Sequence, residues 1–553
     1  MTPEISIFDL PHVIETIGKH LDRNDHLSCA LVSKAFYKEF NRFLWRELVF
    51  VCRKPLSELS INPDRVGGFR SNTRWTRRVS VDTNCRKGVL PLLSEVCTRL
   101  SNLTIIVSRG RHPDPEGLLL SPAIDLIARN TQLRTCSFIR YASLSINPLT
   151  KLAEALSRSP CLTEIVLVFR VSPLPRGSLQ CFLQNLPMTL KRLSLLWSWT
   201  RLREEEELGS FPAQNWPLSY PCLEDAKLLV ELTESEEHTL SQFLERCHAL
   251  KELSVPRMAS MQAINNTIAL LGSKRLPFTL TKLDSHMWSE LNEQQWRHLL
   301  LALKYTIRSF VTGVNFNIIP TRHFIHEMTK YWSHTLETVH IYHSHLITSS
   351  DIQLILTTCS KLKRFECICY WMLLAGEPRP HDTIPLPGLE AMVGGEGDDA
   401  MADWVCLELE ELKIMFSDAR RPSAEEPTLS QQEECTVRGI KRAYEQLGRL
   451  KNMRKLVIGW CTTDNYSKDA NLDMSLQSGL GHMKDLSLLK EIELNFIGKV
   501  NIGMAEAQWM LDNWPSLRNI AGLKRSLRMP EEDTQEPNYF ALLRTERPWL
   551  AIS

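Results

Sequence analysis

The sequence predicts an α/β chain in two parts: three short helices within the first 50 residues, then a long array of strand-and-helix units. Two observations carry this prediction. A six-residue phrase, apolar-x-x-apolar-x-apolar, recurs at intervals of about 30 residues along most of the chain. Ahead of it, apolar residues recur at spacings of three and four between residues that start and stop helices. A composition of 43% hydrophobic and 23% charged residues places the chain among globular proteins.

The helical segment reads in order. Pro11 suits a first helical turn, where its missing N–H is no loss, and Leu10, Ile14, Ile17 and Leu21 follow as one apolar stripe. Asp22, Asn24 and Asp25 supply turn and N-cap chemistry, after which Leu27, Ala30 and Leu31 open a second helical face. Ser33 can cap a third helix carrying Phe36, Phe40, Phe43 and Leu44, with Trp45 at its end. Three helices in so few residues bury only a modest fraction of their surface, so the segment needs a neighbour or a partner.

In order and spacing, Leu10-Pro11, Ile14, Ile17, Leu21-Asp22, Asp25, Leu27, Ala30 to Lys34, Phe36 and Leu44-Trp45 resemble the F-box motif. His12-Val13 stands where an acidic residue is common, and Phe36 where many members carry Trp. The resemblance implies a helical bundle that binds the Skp adaptor and through it a cullin-based ubiquitin ligase. By position, Leu10, Pro11, Ile14, Ile17, Leu21, Leu27, Val32, Ser33, Phe36 and Trp45 would be shared between the bundle's core and that interface.

The recurring phrase begins at Leu162, Leu190, Leu250, Leu336, Leu409, Met453 and Leu489, with weaker copies from Leu103, Leu133, Leu223, Leu280, Ile307, Leu362 and Leu517, and one at Thr76. After Leu362 the steps lengthen, and two insertions account for it. Residues 375–403 are rich in Pro, Gly and acid and residues 417–436 are polar, so both read as loops. The phrase ends in alternating apolar residues, which is one short strand, and stretches such as Leu149 to Leu156 and Met261 to Leu271 between copies look helical. Such a unit cannot bury its apolar face alone, whereas stacked neighbours share a continuous core. The expected division is 1–50 helical domain, 51–75 linker and first cap, 76–530 irregular array and 531–553 C-terminal tail or cap.

Phrase and spacing resemble leucine-rich repeats of the long, helix-containing kind, which implies a curved solenoid with parallel strands on its concave face and helices on its convex face. The Asn or Cys usual after the last apolar position is replaced by Arg170, Ser198 and Ser344, and Cys461 conforms, so the array is expected to be irregular. Residues between the inward-facing ones would line the open face of the sheet. With the aromatic residues just past the strands, they make Trp197, His286, Trp288, His340, Tyr342, Arg364, Tyr370 and Trp460 the candidate target-binding residues.

The 65 basic residues against 64 acidic ones leave a formal charge of +1, which argues against a general nucleic-acid binder. Locally the balance tips: residues 51–90 hold nine basic residues against three acidic, and residues 204–240 hold ten acidic against Lys227 alone. These blocks read as solvated loops or as charges that steer a matching partner. No apolar run is long enough to span a bilayer, and Glu4 and Asp9 interrupt the start, so a soluble protein of cytoplasm or nucleus is expected. The fifteen scattered cysteines, the closest pair being Cys367 and Cys369, read as small buried residues, neither a disulfide framework nor a zinc site.

Phosphate-loop, dinucleotide, nucleophile-elbow and zinc-helix motifs are all missing from the sequence. Histidines at 323, 326, 334, 340, 343 and 345 cluster, but no third ligand is placed beside His343 and His345 for a metal. The expectation is therefore a non-catalytic substrate adaptor without cofactor or metal. It would bind the Skp adaptor and cullin ligase subunits at one end and a protein target along the array, and neither nucleic acid nor membrane. An interaction scaffold that never meets a ligase is the alternative, and an enzyme assembled from distant residues is the weakest reading.

Overall fold

Local chemistry starts and stops the first three helices. The computed structural model describes residues 10–50, 63–82, 89–107, 120–140, 146–169, 178–197, 216–232, 234–254, 257–258, 261–273, 275–284, 291–312, 322–342, 349–368, 402–416, 440–460, 474–495, 502–522 and 538–552. Helix α1 (Pro11–His20) has Pro11 as its first residue and ends at an extended Leu21. Helix α2 (Arg23–Val32) begins in a capping box: Asp22 Oδ1 accepts from the N–H groups of Asn24 (2.7 Å) and Asp25 (2.9 Å), and Asp25 Oδ2 accepts from the Asp22 N–H at 3.2 Å. Ser33 then caps α3 (Lys34–Leu44), its Oγ accepting from the Phe36 N–H at 3.1 Å.

The bundle core is Ile14, Ala30, Phe40 and Phe43, with Leu21, Cys29, Phe36 and Leu44 packed around it. Phe36, Phe40 and Phe43 form a chain of ring contacts 5.6 and 6.0 Å apart. Gly18 lies against the Phe43 ring, where an added Cβ would come within 2.4 Å of a ring carbon, so α1 and α3 approach at a position that admits no side chain.

The chain forms two compact units, Met1–Ala263 with Lys274–Phe278 and Ile264–Ser273 with Thr279–Ser553. In the first, residues 47–50, which the sequence reading places in the helical segment, are a strand, β1 (Glu47–Phe50). It is followed by β2 (Arg78–Asp82), β3 (Asn102–Val107), β4 (Thr135–Arg140), β5 (Glu164–Phe169), β6 (Arg192–Trp197), β7 (Asp225–Leu229), β8 (Glu231–Leu232), β9 (Glu252–Ser254) and β10 (Arg257–Met258). Strands β1 to β7 pair in sequence order and β7 pairs β9, every pair parallel; β8 and β10 form a small separate pair. Parallel neighbours require a crossover. Helices Val89–Val96, Leu120–Arg129, Ile146–Ser157, Ser178–Gln184 and Glu234–Leu244 supply it.

The second unit repeats the plan with β11 (Lys282–Asp284), β12 (Ser309–Val311), β13 (Thr338–Tyr342), β14 (Arg364–Ile368), β15 (Glu411–Phe416), β16 (Lys455–Trp460), β17 (Glu491–Asn495), β18 (Asn519–Ala521) and β19 (Ala551–Ile552). Each pairs its successor in parallel. Residues 538–552 thus add one more helix and strand at the end of this sheet. Gly522, with φ of +89°, leaves β18 where a Cβ would sit 1.9 Å from the Leu494 carbonyl oxygen, a turn open only to glycine. The insertions read as loops fall almost wholly outside the described residues.

Within each unit the alternation of the strands decides what is buried. Leu162, Ile165 and Leu167, or Leu336, Val339 and Ile341, go into the core beside the helices, and the residues between them do not. One frame needs correction. The copy read from Leu103 starts at Leu100, because Leu100, Leu103 and Ile105 are the buried set and Leu103 sits opposite Cys136, the second apolar position of the next copy. The apolar run at residues 105–107 offers apolar side chains at either parity, but a copy begun at Leu103 would end on Ser108, whereas one begun at Leu100 ends on Ile105, and the pairing agrees with the second.

The helical segment is joined to the first repeat through side chains. Helix α4 (Pro63–Asn72) brings Phe69 edge-on to Trp45, ring centroids 5.7 Å apart, and Asn72 Oδ1 accepts from Asn41 Nδ2 at 2.9 Å. Thr76 Oγ1 donates to the Trp45 carbonyl at 2.9 Å.

Candidate functional site

Two surfaces are open to a partner: one face of the helical segment and the strand faces turned away from the helices. In α2 the inward residues are His26 and Ala30, and Leu27 and Leu31, one turn apart, lie about 100° further round the helix, facing outward. They are 51% and 77% exposed, and Val32 beside them is 69% exposed. The face predicted from Leu27, Ala30 and Leu31 therefore divides: Ala30 turns in and the two leucines turn out. A histidine takes the inward place because its Nε2 donates to the Gly18 carbonyl at 2.7 Å and its ring stacks on Phe43.

The ten residues assigned to adaptor binding separate accordingly. Ile14 is in the bundle's own core, and Leu21 and Phe36 pack against it. Leu10 and Ile17 are half-buried, and Pro11 is the first residue of α1. Leu27, Val32 and Ser33 are exposed, the Ser33 hydroxyl oxygen also serving as the cap of α3. Trp45 is half-buried against Phe69. Leu31, the most exposed of the helical apolar residues, was not among the ten; its place beside Leu27 one turn earlier is the signal that could have found it.

On the open face of the first sheet the register builds rows. One row is Ser80, Thr104, Ser137, Val166 and Ser194, small side chains in adjacent strands. Two residues further along the strands lies an apolar row, Ile106, Ile139, Val168, Leu196 and Leu229, each half-buried on the side away from the helices. In the sequence these merge with the core residues into continuous apolar runs such as Glu164–Phe169, which hides their outward parity.

The second sheet presents charge instead. His340, Glu366 and Lys413 are register neighbours, and Glu366 takes Lys413 Nζ at 2.9 Å on Oε1 and faces His340 Nε2 at 3.9 Å with Oε2. In the adjoining row Arg364 Nε lies 3.5 Å from Glu411 Oε1, and Lys455 Nζ lies 2.7 Å from Glu491 Oε2. Desolvation pushes the His340 imidazole below its ordinary range, outweighing the lift from Glu366 and Glu411. The bond to Glu491 raises Lys455 above its usual value. Opposite charges alternating across strands give a face that is polar, nearly self-neutralised and rich in both donors and acceptors.

Of the eight candidate target residues, His340 and Arg364 stand on this charged face. Trp197, Tyr342 and Trp460 occupy the last positions of β6, β13 and β16, in register with Phe169, Ile368 and Phe416. His286, Trp288 and Tyr370, like the His343–His345 pair, lie outside the described residues.

Among the described residues no group of three His, Cys, Asp or Glu side chains converges for a metal, and no helix is long and apolar enough to cross a membrane. Burial pushes the thiols of Cys97, Cys136 and Cys406 up to about 12 and that of Cys359 up to about 11, far from the thiolate that nucleophilic chemistry needs.

No protein-family model matches the chain, and no curated protein matches it. Among solved structures it is similar to a crystal structure of a complex of Rad7 and Elc1 in yeast, at 12% identity over 99% of this chain and 98% of that chain, with a TM-score of 0.35.

Proposed function

We propose that the protein is a non-catalytic substrate adaptor of a Skp-cullin-F-box ubiquitin ligase. The helical segment docks on the Skp adaptor, and the repeat array holds a protein target within reach of the ligase, in cytoplasm or nucleus. The observation that supports this reading most is the open apolar face of Leu27, Leu31 and Val32 on a capped bundle that is hitched to a parallel repeat array through Trp45 and Phe69. Full burial of such side chains contributes about 1.5 to 3 kcal/mol each before association costs, enough to drive docking. The array would act by proximity, fixing a target's lysines near a transferring subunit, and no residue of this chain need make or break a bond.

Co-purification of the full-length chain with the Skp adaptor tests the reading. Leu31→Asp with Val32→Asp should abolish retention while leaving circular dichroism unchanged, because neither side chain is in the core. Ile14→Ala is a poorer probe, since it opens a cavity in the bundle itself. Retention of the adaptor by the double-aspartate variant at wild-type level would reject the reading.

A further inference from the structure

The residues immediately preceding the strands of the first unit form a row of their own. Backbone bonds join them strand to strand: the N–H of Arg77 donates to the Arg46 carbonyl at 2.9 Å, Ser101 to Arg77 at 2.8 Å, Arg134 to Ser101 at 2.7 Å, Thr163 to Arg134 at 2.8 Å and Lys191 to Thr163 at 2.8 Å. The row therefore reads Arg46, Arg77, Ser101, Arg134, Thr163, Lys191, four cations separated by two hydroxyl residues.

Two further arginines flank it. The Arg77 guanidinium is held by three carbonyls, those of Arg74 (3.4 Å), Thr76 (3.3 Å) and Arg99 (3.4 Å), which places both neighbouring arginine backbones against it. Desolvation, then the like charges of Arg99 and Arg46, push Arg77 below the usual guanidinium range. Arg46, Arg74, Arg99, Arg134 and Lys191 are exposed, and none of the six cations is ion-paired among the described residues. Of the nearby carboxylates, Glu95 pairs with Arg70 at 3.2 Å, Glu164 with Arg192 at 2.7 Å and Glu224 with Lys251 at 3.0 Å.

A row of cations without carboxylate partners, running past the partly buried Arg77, is a place where an anion can form charge-assisted hydrogen bonds that the protein itself does not supply. We infer that this strand-edge row is a docking surface for a short acidic peptide segment of a partner protein, whose carboxylates or phosphates pair with Arg46, Arg77, Arg99 and Arg134. Five strand spacings of about 4.8 Å give the row a length of about 24 Å, room for about seven residues of extended chain. A long polyanion fits it poorly. Past Lys191 the same row continues into Glu224 and Lys251, which pair with each other at 3.0 Å, and the next register row mixes Glu47, Glu164, Asp225 and Glu252 with Arg78 and Arg192. The uninterrupted excess of positive charge therefore ends at Lys191 and is too short for a duplex or a membrane surface to follow. The inference names a partner class for the array and does not depend on what the helical segment binds.

The test measures fluorescence anisotropy of the full-length chain, without adaptor, against a labelled oligoglutamate peptide, a matched phosphoserine peptide, a duplex DNA oligonucleotide and phosphatidylserine-containing vesicles. Binding of a peptide that weakens with salt, and falls roughly tenfold or more in Arg99→Glu with Arg134→Glu, is the expected result. Lys490→Glu with Arg518→Glu, the same charge change in the second unit, should leave it unaltered. The tighter of the two peptides identifies carboxylate or phosphate as the anion. If charge reversal unfolds the chain, Arg99→Gln with Arg134→Gln repeats the measurement. No peptide binding, equal loss in both charge-reversed variants, or stronger patch-dependent binding of DNA or vesicles would overturn the inference. None of these outcomes touches the adaptor reading, which co-purification decides separately.

Discussion

His26 lies flat on Phe43, with ring centroids 5.2 Å apart and planes inclined by 8°. The same imidazole donates to the Gly18 carbonyl, so one side chain of α2 binds both flanking helices. His26→Leu keeps the volume and removes the bond, leaving a buried carbonyl unpaired at a cost of about 1 to 3 kcal/mol. Amide hydrogen exchange in α1 and α2 should accelerate accordingly, while the amides of the strands in the second unit stay unchanged. Unaltered exchange in α1 and α2 would show that the His26 imidazole does not hold the bundle.

Asn130 closes the end of the helix Leu120–Arg129 against the preceding repeat. Its Oδ1 accepts from the Leu100 N–H at 2.8 Å, and its Nδ2 donates to the carbonyls of Cys97 (2.8 Å) and Leu126 (2.7 Å), all in buried surroundings. Asn130→Leu orphans these backbone groups together, and at about 1 to 3 kcal/mol for each group left unpaired it should be among the most destabilising single changes in the first unit. A lowered melting temperature in differential scanning calorimetry is the expected outcome, and an unchanged one would show that the Asn130 bonds carry no stability.

His340 makes the second sheet sensitive to acid. Its folded pKa lies below the ordinary value of 6.5 because burial disfavours the imidazolium. The unfolded chain therefore binds the proton first as pH falls below about 6.5, and stability declines from there until the folded state is protonated as well. Above about 6.5 the group contributes no pH dependence. Denaturation midpoints followed from neutral pH to mildly acid pH should fall less steeply in His340→Gln than in the wild type. An identical slope would place the acid sensitivity elsewhere.

Much of the architecture was legible because the forces that set it are local. Asp22 and Ser33 cap helices within a single turn, and the parity of Ile165 and Leu167 against Val166 needs nothing beyond strand geometry. The Leu100 frame was obscured by the apolar run at residues 105–107, which offers apolar side chains at either parity, although only a copy begun at Leu100 ends on an apolar residue, Ile105, and the partner strand agrees. The outward turn of Leu27 and Leu31 was hidden for a related reason: hydrophobicity argues that both belong inside, and His26 displaces them only because the Gly18 carbonyl is there to receive it.

The basic row shows the same limit from the other side. A count over residues 51–90 finds an excess of positive charge, yet the row draws on Arg46, Arg77, Arg134 and Lys191, spread across four repeats. The sequence alone determined that this chain would be capped helices followed by stacked strand-and-helix units, because caps and apolar periodicity act between residues a few positions apart. Tertiary structure alone decided which leucines meet water and which arginines meet one another, because desolvation and Coulomb interaction depend on distance in space, and stacking brings residues about thirty positions apart to within one strand spacing.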